Sequence, residues 1–195
     1  MVKTAIFGGS FDPVHSGHLA LARTVREQTV YSRILFIPAA SPPHKHLSGG
    51  ADAADRTAML KEVLDPLEWA CIWTGEMDRE GPSYSIDTVR QLKEEGIVSG
   101  RPGFIIGDDL AEGFSSWKKA GELAAEVEII LARRLSGPPP LFPFPCLRLD
   151  NELWPHSSTD LRSRIARGES LEGLVPESVA AYIAQRGLYA AEHRT

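Results

Sequence analysis

Two histidines three positions apart, His15 and His18, follow a pair of glycines, Gly8 and Gly9, near the amino terminus. Glycine lets backbone amides come close to a phosphate. An imidazole can donate a hydrogen bond to a phosphate oxygen, and either ring can be partly charged near neutral pH. The segment has neither the Gly-Lys-Ser/Thr of a Walker loop nor the spacing of a dinucleotide fingerprint. It therefore predicts a different phosphate site, with metal ligation by both histidines or helix capping by one as alternatives.

A second polar segment lies towards the carboxyl terminus. Ser157, Ser158 and Thr159 stand at the predicted start of a helix, and Arg162 follows one turn later. Hydroxyl groups at a helix start satisfy the first backbone N–H groups, so an N-cap is the simplest interpretation. The same amides and hydroxyls, with a guanidinium beside them, also suit a polyphosphate chain.

Short apolar runs alternate with helical patterns along the chain. The strands are predicted at 2–7 (stopped by the two glycines), 34–37, 69–74, 104–106, 127–132 and 146–149. Helices are predicted from residue 17, from Asp52 or Asp55 to before Pro66, from Ser83 or Ser85 to Gly96, around Leu123, and at 158–167 and 176–185.

The alternation predicts an α/β fold of the Rossmann-like, doubly wound type. A mostly parallel sheet would carry helices on both faces, with a small helical part at the carboxyl terminus. The 195 residues contain no internal repeat or linker, so a single domain over 1–195 is expected. Ligands of such sheets gather at the carboxyl ends of the strands, where the segment with His15 and His18 begins.

Composition excludes several classes of protein. Twenty-one basic and 26 acidic residues give a net charge of −5 without a basic cluster, so nucleic acid is not expected as the main partner. No apolar stretch approaches the ~20 residues of a membrane span. Two cysteines without a C-x-x-C pair, and no signal-peptide pattern, predict a cytoplasmic protein. A monomer and a homo-oligomer are both compatible with the sequence.

The run 8–19, with its H-x-G-H core, resembles the signature of the nucleotidyltransferase superfamily, and more closely the opening of bacterial nicotinate-nucleotide adenylyltransferases. The segment 157–162 is similar to the Ile-Ser-Ser/Ala-Thr-x-Ile-Arg pattern of that family, with His156 in place of the first isoleucine. The segments 76–88 and 104–110, followed by Trp117, extend the resemblance, which spans essentially the whole chain.

This resemblance implies transfer of AMP from ATP to nicotinate mononucleotide, by direct in-line attack and without a covalent intermediate. The products would be deamido-NAD and pyrophosphate, in NAD biosynthesis. Mg²⁺ is expected with ATP, bound through phosphates and water, so no protein residue is assigned as a metal ligand. The acidic group on the pyridine ring is expected to need backbone N–H donors.

The resemblance also implies a role for individual residues. The catalytic residues would be His15 and His18. ATP would contact Gly8, Gly9, Ser10, Phe11, Gly107, Asp109, Ser157, Ser158, Thr159 and Arg162. The mononucleotide would contact His44, Lys45, Ser85, Trp117 and Arg134, where Arg134 stands for the arginine of the family's Arg-Pro-Gly segment.

Alternatives remain for the roles of single residues and for the function of the whole protein. Trp117 could be an ordinary packing residue, and His44 and Lys45 could lie on a solvated loop. The rival functions are a phosphopantetheine or a nicotinamide-mononucleotide adenylyltransferase, and a nucleotide-binding module without turnover. The segment 82–88 together with Trp117 disfavours the phosphopantetheine enzyme, and the intact histidine pair disfavours the non-catalytic module.

Overall fold

The computed structural model describes residues 2–40 and 50–190. Its centre is a sheet of six strands: β1 (Thr4–Gly9), β2 (Arg33–Pro38), β3 (Ala70–Ile72), β4 (Gly103–Gly107), β5 (Glu128–Ala132) and β6 (Cys146–Arg148). The strand order is β3-β2-β1-β4-β5-β6, and every pairing is parallel. This is a Rossmann-like order, and the predicted fold class is confirmed.

Six helices cover the two faces of the sheet: α1 (Ser16–Gln28), α2 (Ala53–Leu64), α3 (Ser85–Glu94), α4 (Ala120–Glu126), α5 (Ser158–Ala166) and α6 (Glu177–Arg186). Two 3₁₀ turns, Asp108–Leu110 and Phe114–Ser116, follow β4. The apolar faces of α1, α2, α5 and α6 pack in one core cluster, and those of α3 and α4 in another. The helices at the carboxyl terminus therefore complete the face that α1 begins.

The central strands are apolar on both sides because helices cover both sides. In β2, Ile34 and Phe36 enter the first cluster, whereas Leu35 and Ile37 enter the second. Successive side chains of a strand point to opposite faces, so a continuous apolar run fills two cores at once.

β1 is shifted by two residues from the prediction, because it begins at Thr4 and runs through both glycines instead of stopping at them. Neither Gly8 nor Gly9 has a positive φ. Gly9 is needed for space: a Cβ atom there would lie 3.0 Å from the ring of Phe11. The glycines thus extend the strand and let the next loop fold back onto it.

The ends of three other elements differ from the predictions or select between the predicted alternatives. β3 is confined to Ala70–Ile72, at the edge of the sheet. Neither Ser83 nor Ser85 caps α3, whose N-cap residue is Tyr84. Asp52 caps α2 by accepting a hydrogen bond of 2.7 Å from the backbone N–H of Asp55.

The strand order places a crevice between β1 and β4. The connections after these neighbouring strands leave towards opposite faces of the sheet, which opens a cleft at their carboxyl ends. Along the described ranges, no helix combines the length and the apolar character required to cross a bilayer.

Candidate active site

A cavity of about 780 Å³ lies at the carboxyl ends of β1, β4 and β5. Many of the predicted site residues line it: Gly8, Gly9, Ser10, His15, His18, Ser85, Gly107, Asp109, Trp117, Arg134, Ser157, Ser158 and Thr159. Phe11 and Arg162 lie behind its wall. His44 and Lys45 fall outside the described residues. The volume is within the range of small-molecule sites, roughly 300–1,000 Å³.

His15 and His18 form a stacked pair at the start of α1. Their ring centroids are 3.7 Å apart, with an angle of 30° between the planes. The backbone N–H of His15 donates to Nδ1 of His18 over 3.2 Å. When Nδ1 accepts a hydrogen bond, the neutral ring carries its proton on Nε2. His18 is therefore a donor through Nε2.

His15 is neutral at physiological pH. Its side chain is buried, and both ring nitrogens lack a hydrogen-bond partner. Burial lowers the pKa of His15 to about 4, and the positive charges of Arg134 and His156 act in the same direction. The expectation of a partly charged ring is therefore wrong for His15 in the ligand-free protein. A buried imidazole with unpaired nitrogens, close to the cation of Arg134, suits the binding of an anion.

The lowered pKa of His15 predicts a pH dependence of stability. The unfolded chain binds this proton near pH 6.5 and the folded chain only near pH 4, so stability should fall as pH decreases through this window. The resulting loss in the free energy of unfolding reaches up to about 3 kcal/mol at the acidic end of this window. We expect His15→Asn to flatten the free energy of unfolding between pH 4 and 6.5 in urea titrations. An unchanged slope would show that His15 titrates normally.

His18 is held by aromatic rings. Phe11 meets it edge-on at a centroid distance of 5.0 Å, and Phe7 lies 6.0 Å away. Phe11 is fully buried and adopts a φ of +47°, in the left-handed region that non-glycine residues rarely visit. The Phe11 side chain thus supports His18, and the contact of Phe11 with ATP stays a prediction.

Asp12 is the centre of a buried cluster beneath the phosphate loop. Its Oδ1 accepts from the backbone N–H of Ala51 (2.9 Å) and from the hydroxyl of Tyr189 (2.7 Å). Arg162 donates to the Asp12 carbonyl oxygen over 2.8 Å and places Nη1 3.6 Å from Oδ2. Asp12 therefore connects the loop to α5 and to the end of the chain. The burial of Asp12 makes the charge of Arg162 necessary.

Arg56 fixes the same loop from α2. Its guanidinium is buried and donates to the carbonyl oxygens of Ser10 and Ala39, each over 2.8 Å. Burial lowers the pKa of Arg56, whereas the carboxylate of Asp12 raises it. Asp12, Arg56, Arg162 and Tyr189 are called the Asp12 cluster below.

The start of α5 meets the cavity with hydroxyl groups. Ser157 caps the helix by accepting from the backbone N–H of Asp160 (3.2 Å), and Ser158 donates to the carbonyl of Pro13 (3.1 Å). Thr159 accepts from Arg162 over 3.3 Å. The capping interpretation is therefore correct for Ser157. First-turn amides of a helix have no acceptor within it, which leaves a place for an anion here.

At the end of β4, two side chains close over Gly107. A Cβ atom there would lie 2.1 Å from Oδ1 of Asp109 and 2.6 Å from Cδ of Arg134. Asp108, which is buried, accepts from the backbone N–H groups of Arg134 (2.7 Å) and Leu135 (3.0 Å). Asp108 thereby positions the cation that faces Asp109.

The far end of the cavity is aromatic. Trp117 packs on Phe114 with centroids 4.9 Å apart. Tyr84, Ser85 and Lys118 line the cavity nearby, and Nζ of Lys118 lies 4.5 Å from the Tyr84 ring centroid. Ser85 is the first residue of α3, so the amino end of that helix opens towards Trp117.

The sequence interpretation missed Asp12, Asp108 and Trp154. No local pattern marks the two aspartates, because their partners lie up to 177 residues away in the chain. Trp154 follows an irregular segment but lines the cavity. Within residues 2–40 and 50–190, no group of three or more His, Cys, Asp or Glu side chains is arranged to hold a metal ion.

Comparisons with known proteins agree with this geometry. The model of the cytidylyltransferase-like family matches residues 6–164. A nicotinate-nucleotide adenylyltransferase of Bacillus subtilis is 37% identical over 193 residues, which cover 97% of this chain and 99% of that protein. A probable nicotinate-nucleotide adenylyltransferase of Treponema pallidum is 35% identical over 96% of this chain and 99% of its own length.

Solved structures share the fold. The nicotinic acid mononucleotide adenylyltransferase of Plasmodium falciparum, complexed with NaAD, superposes with a TM-score of 0.76 at 18% identity, over 97% of this chain and 98% of that chain. A putative nicotinate-nucleotide adenylyltransferase of Vibrio parahaemolyticus gives a TM-score of 0.73, also at 18% identity, over 98% and 97% of the two chains.

Proposed function

The chain belongs to the cytidylyltransferase-like family and, within it, to the nicotinate-nucleotide adenylyltransferases, and from this premise we propose how its own residues carry out the reaction. The reaction transfers AMP from ATP to nicotinate mononucleotide and releases pyrophosphate, as a step of NAD biosynthesis. The observation that carries the proposal is the stacked pair of His15 and His18, which lies in one cavity with the start of α5 and with Trp117.

The phosphate of the mononucleotide attacks the α-phosphorus of ATP directly. The new P–O bond forms as the bond between the α-phosphorus and the bridging oxygen breaks, and the electron pair leaves with pyrophosphate. A phosphate monoester is already ionised near pH 7, so the attack needs no strong base. Catalysis then rests on positioning, which can supply ~7–11 kcal/mol, and on stabilisation of developing charge.

The histidine pair stabilises the charge that develops on the α- and β-phosphate oxygens. His18 donates from Nε2, and His15 donates from whichever ring nitrogen carries its proton. The amides of Gly8, Gly9 and Ser10 line the same cradle. Two neutral donors avoid the repulsion that two stacked imidazolium rings would suffer at 3.7 Å.

The departing pyrophosphate is held by the start of α5. The amides of Ser158 and Thr159 and the hydroxyl of Thr159 lie at the cavity, and Arg162 lies directly behind them. His44 and Lys45, which lie outside the described residues, are proposed to contact the mononucleotide. Gly107 and Asp109 hold the nucleotide ribose at the end of β4, and Arg134 approaches the phosphates beside them.

The pyridine ring stacks on Trp117, and its carboxylate faces the amino end of α3. A helix start carries about half a positive charge and unpaired N–H groups, which favour an anion over a neutral amide. The hydroxyl of Ser85 lies in the same place. This arrangement favours the acid over nicotinamide.

A divalent metal, proposed to be Mg²⁺, enters with ATP. Nucleotidyltransferases of this kind generally use such an ion, which neutralises phosphate charge when bound. Asp109, which lines the cavity, is a carboxylate close to the bound nucleotide, and the ion itself would be held mainly by phosphate oxygens and water. The two free cysteines, Cys71 and Cys146, fit the proposed location in the reducing cytoplasm.

Pyrophosphate release tests the function. ATP and Mg²⁺ are supplied with nicotinate mononucleotide, nicotinamide mononucleotide or phosphopantetheine in parallel. We expect release with nicotinate mononucleotide and a strong preference for it over the amide. Equal rates with acid and amide would remove the carboxylate contact at α3, and release with phosphopantetheine alone would overturn the substrate assignment.

Trp117→Ala should raise KM for nicotinate mononucleotide about ten-fold, because the pyridine loses its stacking surface. KM for ATP should change by less than about two-fold, because ATP does not contact this end of the cavity. Steady-state kinetics with each substrate varied in turn gives both values. If both KM values rise together, the pyridine does not bind at Trp117.

A further inference from the structure

Two of the four tryptophans of the chain line the cavity, and they come from opposite faces of the sheet. Trp117 belongs to the core cluster of α3 and α4. Trp154 lies on the connection between β6 and α5 and rests on α1, which belongs to the other cluster. The reaction joins two nucleotides, each with a flat ring, and Trp117 accounts for one of them.

Trp154 rests directly on Gly17, the glycine between the two histidines. A Cβ atom at Gly17 would lie 2.4 Å from Cγ and Cδ1 of the indole and 2.9 Å from Cδ2. Only glycine leaves room for this contact. One side of the ring is thus covered by α1, yet 37% of the residue remains exposed where it lines the cavity. A large aromatic surface left open at a cavity wall can bind another flat ring.

Beyond Trp154, the cavity is lined by residues of both charges: Glu27 at the far end of α1, Arg133, and the segment that carries Asp150 and Glu152. Gln28 holds this segment by donating to the Asp150 carbonyl over 2.8 Å. Carboxylates repel phosphate but accept hydrogen bonds from an exocyclic amino group. The phosphate donors at His15, His18 and the start of α5 adjoin Trp154, so a base stacked on the indole would lie next to its own phosphates.

We propose that Trp154 is a stacking platform for the adenine ring of ATP and a determinant of ATP affinity. The inference rests on the proposed function, since it takes ATP as the second nucleotide. Trp154 and the hydroxyl-rich start of α5 belong to one continuous segment, so a single stretch of chain holds both the base and the outer phosphates. Trp154 and Trp117 then divide the cavity into an adenine end and a pyridine end.

Kinetics of Trp154→Ala and Trp154→Phe test this role. We expect Trp154→Ala to raise KM for ATP about ten-fold, in the range observed for loss of base stacking. KM for nicotinate mononucleotide and kcat should change by less than about two-fold. Trp154→Phe keeps an aromatic face and should recover most of the affinity. Trp117→Ala is the matched control, with the opposite pattern.

Direct binding separates this inference from the proposed function. Calorimetric titration with ATP and Mg²⁺, without mononucleotide, should show about ten-fold weaker binding to Trp154→Ala. This readout does not depend on turnover, so it stands even if no pyrophosphate is released. Trp154→Leu still covers Gly17 but offers no aromatic face, and it should bind ATP as weakly as Trp154→Ala.

Two results would overturn the proposal. Tighter ATP binding by Trp154→Ala would mean that the indole blocks the site and must leave it. Unchanged binding by both the alanine and the leucine variants would mean that Trp154 serves only to pack on Gly17. The midpoint of thermal unfolding, measured for each variant, identifies a loss of affinity that comes from misfolding.

Discussion

His18→Ala is expected to lower kcat by about 100- to 1,000-fold, the usual effect of removing one transition-state hydrogen-bond donor. The ring is fixed before substrate arrives, because the His15 backbone N–H occupies Nδ1 and Phe11 packs against its edge. A fixed donor needs no reorganisation as charge develops on the phosphate oxygens. Its contribution therefore appears in kcat more than in either KM.

His18→Gln is the matched variant for this measurement. The glutamine amide can place an N–H donor near the position of Nε2, so it should retain more activity than alanine. Calorimetric titration with ATP should give similar affinity for the wild type and both variants. A folded His18→Ala protein with near-normal kcat would remove His18 from the catalytic step.

Asp12→Ala is expected to destabilise the fold by about 3–5 kcal/mol, the usual effect of leaving a buried charge without its partner. Asp12 is 1% exposed and accepts hydrogen bonds from Ala51 and Tyr189. Its removal leaves the cations of Arg56 and Arg162 uncompensated beneath the phosphate loop. Urea unfolding at pH 7 measures the change in the free energy of unfolding.

Asp87→Ala provides the control for this prediction. Asp87 also pairs with a cation, Lys118, but both side chains are more than 40% exposed. An exposed ion pair contributes about 0–1 kcal/mol. If the two substitutions destabilise the protein equally, the Asp12 cluster does not hold the loop. Asp12→Asn separates the loss of charge from the loss of the hydrogen-bond acceptor.

The order of strands and helices was accessible from sequence because the central strands are buried on both faces. Ile34 to Ile37 form an uninterrupted apolar run, and helical spacing with caps marks α2 and α6. The boundaries that were wrong depend on tertiary contacts. Gly9 continues β1 because of the Phe11 ring, which lies four positions past the end of the predicted strand. The secondary-structure propensity of single residues cannot predict such a contact.

The candidate site likewise contains residues that were predictable from local motifs and residues that were not. His15, His18, Trp117 and the start of α5 stand in local motifs, and the fold brings them to one cavity. Arg162 donates to the carbonyl of Asp12, 150 residues away, and its contact with ATP stays a prediction. Trp154 contacts Gly17 of α1 although it lies on the segment between β6 and α5, which has no helical or strand periodicity. Contacts between residues so far apart in the chain depend on the fold, and the local spacing of residues does not indicate them.

The Asp12 cluster also ties down both ends of one stretch of chain. Ala39 donates to the Gly9 carbonyl (2.9 Å) and accepts from Arg56, while Ala51 donates to Asp12. Ala39 and Ala51 therefore share their anchors with the phosphate loop, although 12 positions separate them in the chain. A substitution in the Asp12 cluster would shift both of these positions together with the loop, so loss of this one cluster would disturb two parts of the cavity wall at once.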